Sequence, residues 1–397
     1  MKTCLKLLLV TSLISFLIMS CSKDKTAKKV EWNGEVEIKN NTKIVRNPSN
    51  SVYGEITFEL EEDLSIGRED DDNYLFYDPR NIAVDERGNI FILERGNCRI
   101  QKFDKNGNYL QTIGKKGQGP GELERPYSLF LDKNNNIYVS DRRKIHFFNH
   151  TGEFVKTVPL SDQVNDFWVS PEGNIFGLIT TRVERERTKF VVKMNSEGKV
   201  LDNIAQFAEV SQVMRKSGNV VQTFSITHSY NPSLYLVFSN DYRIFYGDSS
   251  EYSFSRINLD GEVELIVKKV EPFHSISQKE KDKIYEGFSE LMKQWPEGVV
   301  EDAVQFPAHR PFFDRILIDD KGRIFIRKVK PVLDETENVE FDIFNREGYY
   351  LYSAILPFSP EVIKNGCFYD LFTSDETGEV KIIRYTILNW DQIKDSL

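Results

Sequence analysis

The chain has 397 residues, of which 40% are hydrophobic and 28% are charged, and its formal net charge is −9. This composition is typical of a globular protein, and the acidic balance argues against binding to nucleic acid, because phosphate recognition requires a basic face. The 28 phenylalanines and 17 tyrosines favour β-strands.

The first 21 residues predict a lipoprotein leader. Lys2 and Lys6 accompany an apolar stretch, residues 7–19, that is too short to span a bilayer. The stretch ends in Leu17-Ile-Met-Ser-Cys21, which resembles the lipobox of bacterial lipoproteins. We therefore expect residues 1–20 to be a signal peptide, Cys21 to carry lipid, and residues 21–33 to form the anchor and tether. The alternative is an ordinary signal peptide that ends near a cysteine.

The lipobox resemblance implies an address in the cell envelope. Ser22, after the cysteine, resembles the pattern that permits transport to an outer membrane. Cleavage removes two of the 52 basic residues, so 50 remain against 61 acidic residues and the net charge becomes −11. Such a surface has no charge-based attraction to anionic lipid, so the predicted contact with the membrane is the lipid on Cys21.

From residue 79 onwards the chain repeats one pattern. A short apolar run, a tight turn and a second apolar run form a hairpin, and the pattern of residues 85–91 returns at residues 132–138. A second hairpin follows each of these, with turns at Asp104-Lys-Asn-Gly107 and Asn149-His-Thr-Gly152. Two hairpins in series make a four-stranded meander, which is the unit of a β-propeller.

The repeats predict an all-β fold, a six-bladed β-propeller of four-stranded antiparallel blades. In each turn an Asp or Asn bonds back to its own backbone and a Gly takes the positive φ. Five full units and a half unit follow one another, at about 79–113, 126–158, 166–204, 232–267, 314–356 and 367–388. We expect the N-terminal strands within residues 34–60 to complete the C-terminal blade, because closing the ring removes free strand edges. The propeller then comprises residues 34–397.

Two wide gaps between repeats predict insertions, around 205–230 and 268–313. The second contains the one predicted helix, near 277–295. Ser277 and Glu280 form a capping box, apolar residues follow at helical spacing, and Pro296 ends the helix. Two interpretations are open: a helix packed on the rim of the ring, which we favour, and a lid over its axial opening.

Two cysteines, Cys98 and Cys367, remain after the leader is removed. Ring closure brings the first and last blades together, which allows a disulfide. Two isolated buried thiols are the interpretation that we favour. The sequence has no CxxC motif and no metal-ligand spacing of Cys and His.

The first two repeats carry a family resemblance. The segment Gly96-Asn-Cys-Arg-Ile-Gln-Lys-Phe-Asp-Lys-Asn-Gly107, followed by Gly117-Gln-Gly-Pro-Gly-Glu-Leu123 and Pro126, resembles the NHL repeat with its interblade linker. Together with the lipobox, the whole chain resembles the six-bladed β-propeller lipoproteins of Gram-negative gut anaerobes. The resemblance implies a platform for proteins or RNA, or more rarely an enzyme, and the acidic charge argues against RNA.

No residue pattern indicates a cofactor or a catalytic centre. The glycine-rich segment 114–121 does not open a helix and Pro120 lacks a donor, so we interpret it as an interblade linker and not as a phosphate loop. The five histidines do not recur at equivalent positions, unlike the constellation of a lyase-type NHL propeller. No G-x-S-x-G elbow is present. We expect no cofactor, with calcium in the axial channel as an alternative.

The predicted ligand site lies just before the innermost strands, where short runs converge around the axial opening. Arginines, carboxylates and aromatic rings on one concave face suit a sugar or peptide. The alternative is that these side chains pack blade against blade and solvate the rim. The candidate residues are Arg80, Asn81, Arg125, Tyr127, Asp166, Trp168, Arg310, Asp314 and Arg315.

These observations predict a monomeric, membrane-anchored propeller outside the cytoplasm, in the outer membrane. It would bind glycan, peptide or an envelope protein at its axial face without catalysis. The alternative is a hydrolase or lyase, with or without a metal, that uses the same face. A third interpretation is a structural component of a surface complex.

Overall fold

The computed structural model describes residues 31–183, 186–208, 213–217, 220–224, 226–239 and 241–397. The predicted signal peptide and Cys21 lie outside these residues, as does most of the predicted tether. Within the described part of the chain, no helix is long and apolar enough to cross a membrane.

Six blades surround a central axis, as the repeats predict. The strands of each of the first three blades pair in chain order as antiparallel meanders. Blade 1 contains Pro79–Val84, Ile90–Glu94, Arg99–Phe103 and Tyr109–Ile113. Blade 2 contains Pro126–Leu131, Ile137–Asp141, Lys144–Phe148 and Phe154–Pro159. Blade 3 contains Val164–Val169, Ile175–Val183, Glu186–Met194 and Val200–Ala208. A short parallel pair, Lys115–Lys116 with Glu122–Leu123, lies in the linker between blades 1 and 2.

Most hairpin turns have the predicted chemistry, but Ser170 and Ser239 open the first turns of blades 3 and 4, and Asn135 and Tyr242 take the positive φ in blades 2 and 4. Asp85 Oδ1 accepts hydrogen bonds from the backbone N–H groups of Arg87 at 2.9 Å and Asn89 at 2.8 Å. The same two bonds recur at the turns that begin with Asp104, Asp132, Asn149, Asn195, Asn258, Asp319 and Asn345. The glycine of the first turn, Gly88, has φ of 81°, which a residue with a side chain adopts only at a cost.

Blade 4 is wider than predicted. Its own strands are Leu234–Phe238, Ile244–Asp248, Ser253–Ile257 and Val263–Lys269. The N-terminal hairpin of Glu35–Lys39 and Thr42–Asn47 extends this blade, with Thr42–Asn47 parallel to Val263–Lys269. The prediction that these residues complete the C-terminal blade is therefore wrong.

Buried contacts explain why the hairpin lies on blade 4. Val45 is fully buried in one apolar cluster with Leu265 and Val267. Asn47 also connects the hairpin to blade 5: its Nδ2 donates to Gly348 O at 2.8 Å and its Oδ1 accepts from Tyr350 N at 2.9 Å. The alternating sequence indicates a strand, but these partners lie more than 200 residues away.

Ring closure by an N-terminal strand is confirmed, with a different strand from those predicted. Blade 5 contains Phe313–Ile318, Ile324–Lys328, Val339–Phe344 and Tyr350–Leu356, with the short Glu55–Ile56 added in parallel. Blade 6 contains Val362–Lys364, Cys367–Thr373 and Val380–Ile387, and Leu60–Ile66 supplies its outermost strand. Asp63 on that strand forms two bonds of 2.9 Å with Arg384. One N-terminal strand therefore closes the ring.

The insertions lie outside the axis. Residues Val213–Ser217 and Val220–Phe224 form a hairpin between blades 3 and 4. Three short helices, Gln278–Gly287, Ser289–Gln294 and Val299–Ala303, replace the single helix predicted over 277–295, and a short 3-10 helix, Trp390–Gln392, follows blade 6. The capping box of Ser277 and Glu280 is confirmed.

The helical insertion packs on the rim. Ile284, Val300 and Ala303 bury their side chains with Tyr230, which precedes blade 4. The Tyr230 hydroxyl donates to Glu280 Oε1 at 2.5 Å and accepts from Val332 N at 2.8 Å. None of the described residues that line the axial cavity comes from these helices, so the structure supports the rim interpretation.

The two remaining cysteines are both free thiols. Cys98 is buried in blade 1, where its thiol lies 3.3 Å from the carbonyl oxygens of Arg95 and Glu124. Cys367 is half-buried in blade 6, and burial raises the pKa of both thiols. The favoured interpretation of two separate thiols is confirmed.

Candidate functional site

The inner strands of four blades begin with an irregularity. In blades 1, 2, 3 and 5 the register of pairing shifts near the start of the inner strand, which is a β-bulge or a related distortion. A bulge bends the strand and turns a side chain out of the regular alternation. The residues within these shifts are Arg80, Tyr127, Asn165, Asp166 and Asp314. All of them except Arg80 line a cavity on the axis of the ring.

One position per blade forms the wall of this axial cavity. The residue three places before the last residue of each inner strand lines it in all six blades. The sixfold repeat therefore directs six side chains of different chemistry into one space. These residues are Asn81, Ser128, Asp166, Tyr235, Arg315 and Glu361.

The axial cavity has a volume of about 680 Å³, which is within the range of about 300–1,000 Å³ typical of small-molecule sites. The charged side chains of its described lining number three of each sign. They are Lys189, Arg315 and Arg327 against Asp166, Asp314 and Glu361. The lining therefore carries no net formal charge when all six groups are ionised.

Two arginines of blade 5 are held by ion pairs. Arg315 and Glu361 form a two-pronged pair, in which Nη1 lies 2.9 Å from Oε1 and Nη2 contacts Oε2. Arg327 Nε lies 2.6 Å from Asp314 Oδ1, and its Nη1 donates to Ser359 Oγ. Such charge-assisted bonds fix the planes of both guanidinium groups, so their remaining N–H groups have defined directions.

Burial and neighbouring charges shift the pKa values of Arg315 and Asp166. Burial acts to lower the pKa of Arg315, and the bonds to Glu361 outweigh this effect and raise it. Desolvation within the ring raises the pKa of Asp166, and the positive charges of Arg315 and Lys189 oppose that rise. The Asp166 side chain is open to the cavity although protein encloses it, so water in the cavity limits the size of this shift.

Asp370 is the second carboxyl with a raised pKa beside this cluster. It lies on the second strand of blade 6, opposite Glu361 when the register of that strand pair is continued by one residue. Desolvation, followed by repulsion from Glu361, raises the pKa of Asp370 to about 6. Two carboxyl groups at the axis thus accept a proton more readily than usual, Asp166 in the lining of the cavity and Asp370 beside its ion pairs.

A second space adjoins the axial cavity at blades 2 and 3. This side lobe has a volume of about 470 Å³ and is lined by Tyr127, Gln163, Asn165, Thr180, Thr181 and Arg187. Tyr127 and Asn165 belong to both linings. The Tyr127 residue is 39% exposed, so its ring is accessible where the two spaces meet.

The structure brings most of the predicted residues together. Asn81, Tyr127, Asp166, Trp168, Asp314 and Arg315 all line the axial cavity. Asn81 and Trp168 also contact other parts of the fold. Asn81 Oδ1 accepts the N–H of Leu129 in the next blade at 3.0 Å. Trp168 is only 4% exposed and packs among aromatic rings that include Phe176 and Phe238.

Three predicted residues lie elsewhere. Arg80 pairs with Asp78 at 2.9 Å on the rim. Arg125 is exposed in the linker, and its backbone N–H bonds to Asp141 at 2.7 Å. Arg310 approaches Glu280 of the helical insertion at 3.7 Å and lines a separate pocket beside blade 5. Arg80 is the second residue of the inner strand of blade 1, and Arg125 and Arg310 precede the inner strands of blades 2 and 5. None of the three is among the residues that line the axial cavity.

The members of the site that are absent from the predicted residues include Ser128, Lys189, Tyr235, Arg327 and Glu361. Arg327 had a visible signal, because it stands on the second strand where blades 1 and 2 have Leu93 and Ser140. Lys189 gave none, since it comes from the third strand of blade 3. Within the described residues, no group of three or more His, Cys, Asp or Glu side chains could hold a metal ion.

This architecture defines a class of protein, the six-bladed β-propeller. The model of the family described as DUF5128, 6-bladed beta-propeller, matches residues 49–286, which is more than half of the chain. The chain belongs to this family.

Curated relatives match over short stretches. The chain is 31% identical over 85 residues to Protein brain tumor of Drosophila melanogaster and 30% identical over 86 residues to NHL repeat-containing protein 3 of Homo sapiens. Each match covers 20% of this chain, but only 8% and 25% of the respective relatives. These matches support the NHL-like character of the repeats.

A solved structure extends the similarity over the ring. It is that of a Bacteroides fragilis protein whose name provisionally describes it as exported, and it is 14% identical to this chain with a TM-score of 0.52. The match covers 87% of this chain and 99% of the other. At this identity the likeness shows the shared fold.

Proposed function

We propose that this propeller is a binding protein of the cell envelope that holds a polar ligand in its axial cavity without transforming it. The observation that carries the proposal is the ring of six equivalent positions, which places six different side chains around one cavity of about 680 Å³. A purely structural axis has no need of such variety, whereas a ligand site gains specificity from a few fixed polar groups.

We propose binding without catalysis because the arginines of the cavity are engaged in ion pairs. Arg315 is engaged by Glu361 and Arg327 by Asp314. A general acid or base needs a titratable group close to the reacting atom, whereas a binding site uses groups held in fixed orientations. Ion pairs that fix side chains favour binding over proton transfer.

The proposed location in the cell envelope rests on the first 21 residues. Their basic start, apolar stretch and Leu-Ile-Met-Ser-Cys ending support export and lipid attachment at Cys21. The outer membrane is the proposed location, and glycans, peptides and envelope proteins are the ligands that this compartment offers. Mass spectrometry of the purified protein tests the anchor: we expect residues 1–20 to be absent and Cys21 to carry acyl chains, and an unmodified Cys21 contradicts it.

Thermal melting in the presence of ligand panels tests the binding proposal. A ligand at 100 times its dissociation constant stabilises the folded state by about 2.7 kcal/mol, which moves the melting temperature visibly. We expect oligosaccharides, peptides or both to raise the melting temperature of the purified protein. The rise should disappear in the Tyr127→Ala variant.

The matched control is Tyr77→Ala, the same change at a tyrosine that is 66% exposed and does not line the cavity. It should keep the ligand-induced rise. A rise that survives Tyr127→Ala moves the site away from the axial cavity. Chemical conversion of a bound ligand, followed by mass spectrometry, would replace the binding proposal with the hydrolase or lyase alternative.

A further inference from the structure

The charge pattern of the axial cavity indicates which class of ligand it can bind. This inference rests on the proposed function. The two arginines of the described lining are paired with anions, Arg315 with Glu361 and Arg327 with Asp314. Lys189 donates a hydrogen bond to the Ser233 hydroxyl and lies in the field of Asp166. A charged ligand would lose hydration on entry to a lining that offers it no net counter-charge. The site therefore disfavours ligands with a net charge.

The same ion pairs suit hydroxyl groups. A sugar hydroxyl can accept from a guanidinium N–H and donate to a carboxylate oxygen at the same time. Apart from Arg187 and the shared Tyr127, the lining of the side lobe continues this pattern with the neutral side chains of Gln163, Asn165, Thr180 and Thr181. Because amide and hydroxyl groups both donate and accept, they match a ligand that is rich in hydroxyls.

Tyr127 supplies the apolar component. Its partly exposed ring lies where the axial cavity meets the side lobe, so the ring face can cover the C–H face of a sugar ring and bury apolar surface on both. Each of the two joined spaces, about 680 Å³ and about 470 Å³, is large enough for a small-molecule ligand. A ligand that fills both has more than one unit.

We propose that the ligand is a neutral oligosaccharide, bound across the axial cavity and the side lobe with one sugar ring on Tyr127. A peptide is disfavoured on two grounds. Its termini carry charges for which the axial lining offers no net counter-charge. It would also bind through free strand edges, and on the inner edge of blade 2 the N–H of Leu129 is already bonded to Asn81 Oδ1.

Isothermal titration calorimetry of the purified full-length protein tests this inference. The probes are neutral glucan, mannan and xylan oligosaccharides from disaccharide to hexasaccharide, an acidic oligogalacturonide series of the same lengths, and a peptide library. We expect binding by at least one neutral series, with affinity rising with length until both spaces are filled. The acidic series and the peptides should bind at least about tenfold more weakly, a difference of 1.4 kcal/mol.

Variants locate the binding. Tyr127→Ala should weaken binding at least about tenfold, and Tyr127→Phe should keep it, since the ring face is retained. Asn165→Ala, at the same junction, gives a second readout if Tyr127→Ala folds poorly. Tyr77→Ala should bind as the unaltered protein does.

The outcomes separate this inference from the function on which it rests. Tighter binding of peptides or acidic sugars, abolished by Tyr127→Ala, overturns the neutral ligand and keeps the axial site. Binding of neutral sugars that neither Tyr127→Ala nor Asn165→Ala weakens overturns the placement. Failure of every probe to bind overturns the neutral oligosaccharide and leaves an envelope protein as the ligand of the proposed function.

Discussion

Two groups of ion pairs in this ring differ in what surrounds them. The axial cluster consists of Asp166, Lys189, Asp314, Arg315, Arg327 and Glu361. The interblade cluster lies between blades 4 and 5 and consists of Tyr252, Lys269, Glu271, Lys328, Asp342 and Tyr350. The axial cluster faces a cavity. At the centre of the interblade cluster, the side chains of Lys269 and Asp342 are each only 2% exposed.

The interblade cluster has its central polar groups satisfied by protein. Lys269 Nζ lies 2.7 Å from both Glu271 Oε2 and Asp342 Oδ2. The hydroxyls of Tyr252 and Tyr350 donate to the two oxygens of Asp342. Burial, followed by the negative charge of Asp342, raises the pKa of both tyrosines well above the usual value, so both hydroxyls remain protonated donors.

The comparison teaches that similar ion pairs have different roles according to their access to water. An ion pair that is buried between two blades helps to hold them together. Removing one partner leaves a buried charge without a compensating partner. A pair beside a cavity can be rehydrated when a partner is lost, and it keeps surface for a ligand. Stability should therefore depend strongly on the interblade cluster and weakly on the axial one.

The largest effect is expected for Lys269→Met. The change leaves Asp342 ionised and buried with only the two tyrosine hydroxyls, so the free energy of unfolding should fall by about 3–5 kcal/mol. Urea unfolding followed by tryptophan fluorescence measures it. Lys156→Met, the same change at an exposed position on the outer strand of blade 2, should alter stability by less than about 0.5 kcal/mol. Equal effects of the two changes contradict the comparison.

An intermediate, pH-dependent effect on the free energy of unfolding is expected for Asp370→Asn. Its pKa of about 6 in the folded protein exceeds the unfolded value of about 3.9. The folded state therefore binds more protons between these values, and the free energy of unfolding falls as pH rises through that window. Replacing the carboxyl by a neutral amide should add roughly 1–3 kcal/mol of stability at pH 8 and little at pH 4.

Urea unfolding of the unaltered protein and of Asp370→Asn at both pH values measures this difference. Asp375→Asn, at an exposed turn in the same blade, is the matched control and should show no gain at pH 8. A variant that is less stable than the unaltered protein at pH 8 shows that the Asp370 carboxylate has favourable partners that outweigh its desolvation.

The repeats made the ring predictable, because each turn is a local device. An Asp or Asn and a Gly a few residues apart define a hairpin without reference to the rest of the chain. The partner of the N-terminal hairpin was not predictable in this way. Val45 and Asn47 select blade 4 through contacts with residues far along the chain, and a strand pattern does not name its neighbour.

The candidate site was predictable where the repeat is regular. Asn81, Asp166 and Arg315 occupy one equivalent position, and the runs before the inner strands pointed to it. Glu361 was not predicted because the first turn of blade 6 is Lys364-Asn-Gly-Cys367. This turn lacks the Asp or Ser that opens the first turn of each other blade. Lys189 was not predicted because it lies on the third strand of blade 3, which is nine residues long. The length of a strand is only weakly indicated by its sequence.

The smallest effect on stability, and the sharpest test of the comparison, is expected for Arg315→Met. This change removes the central cation of the axial cluster, as Lys269→Met does for the interblade cluster. The side chains of Arg315 and Glu361 are 25% and 26% exposed, and water in the cavity can solvate the carboxylates that remain. The free energy of unfolding should therefore change by no more than about 1 kcal/mol.

Ligand binding should be lost in the same Arg315→Met variant, since three carboxylates then face the cavity with only Lys189 and Arg327 opposed to them. The pKa of Asp166 and that of Asp370 should rise further, because Arg315 lowers both. Urea unfolding and calorimetry on one preparation separate the two effects. A loss of stability as large as that of Lys269→Met would make the axial cluster a structural device like the interblade one. Intact stability with lost binding places the function of this ring on its axis.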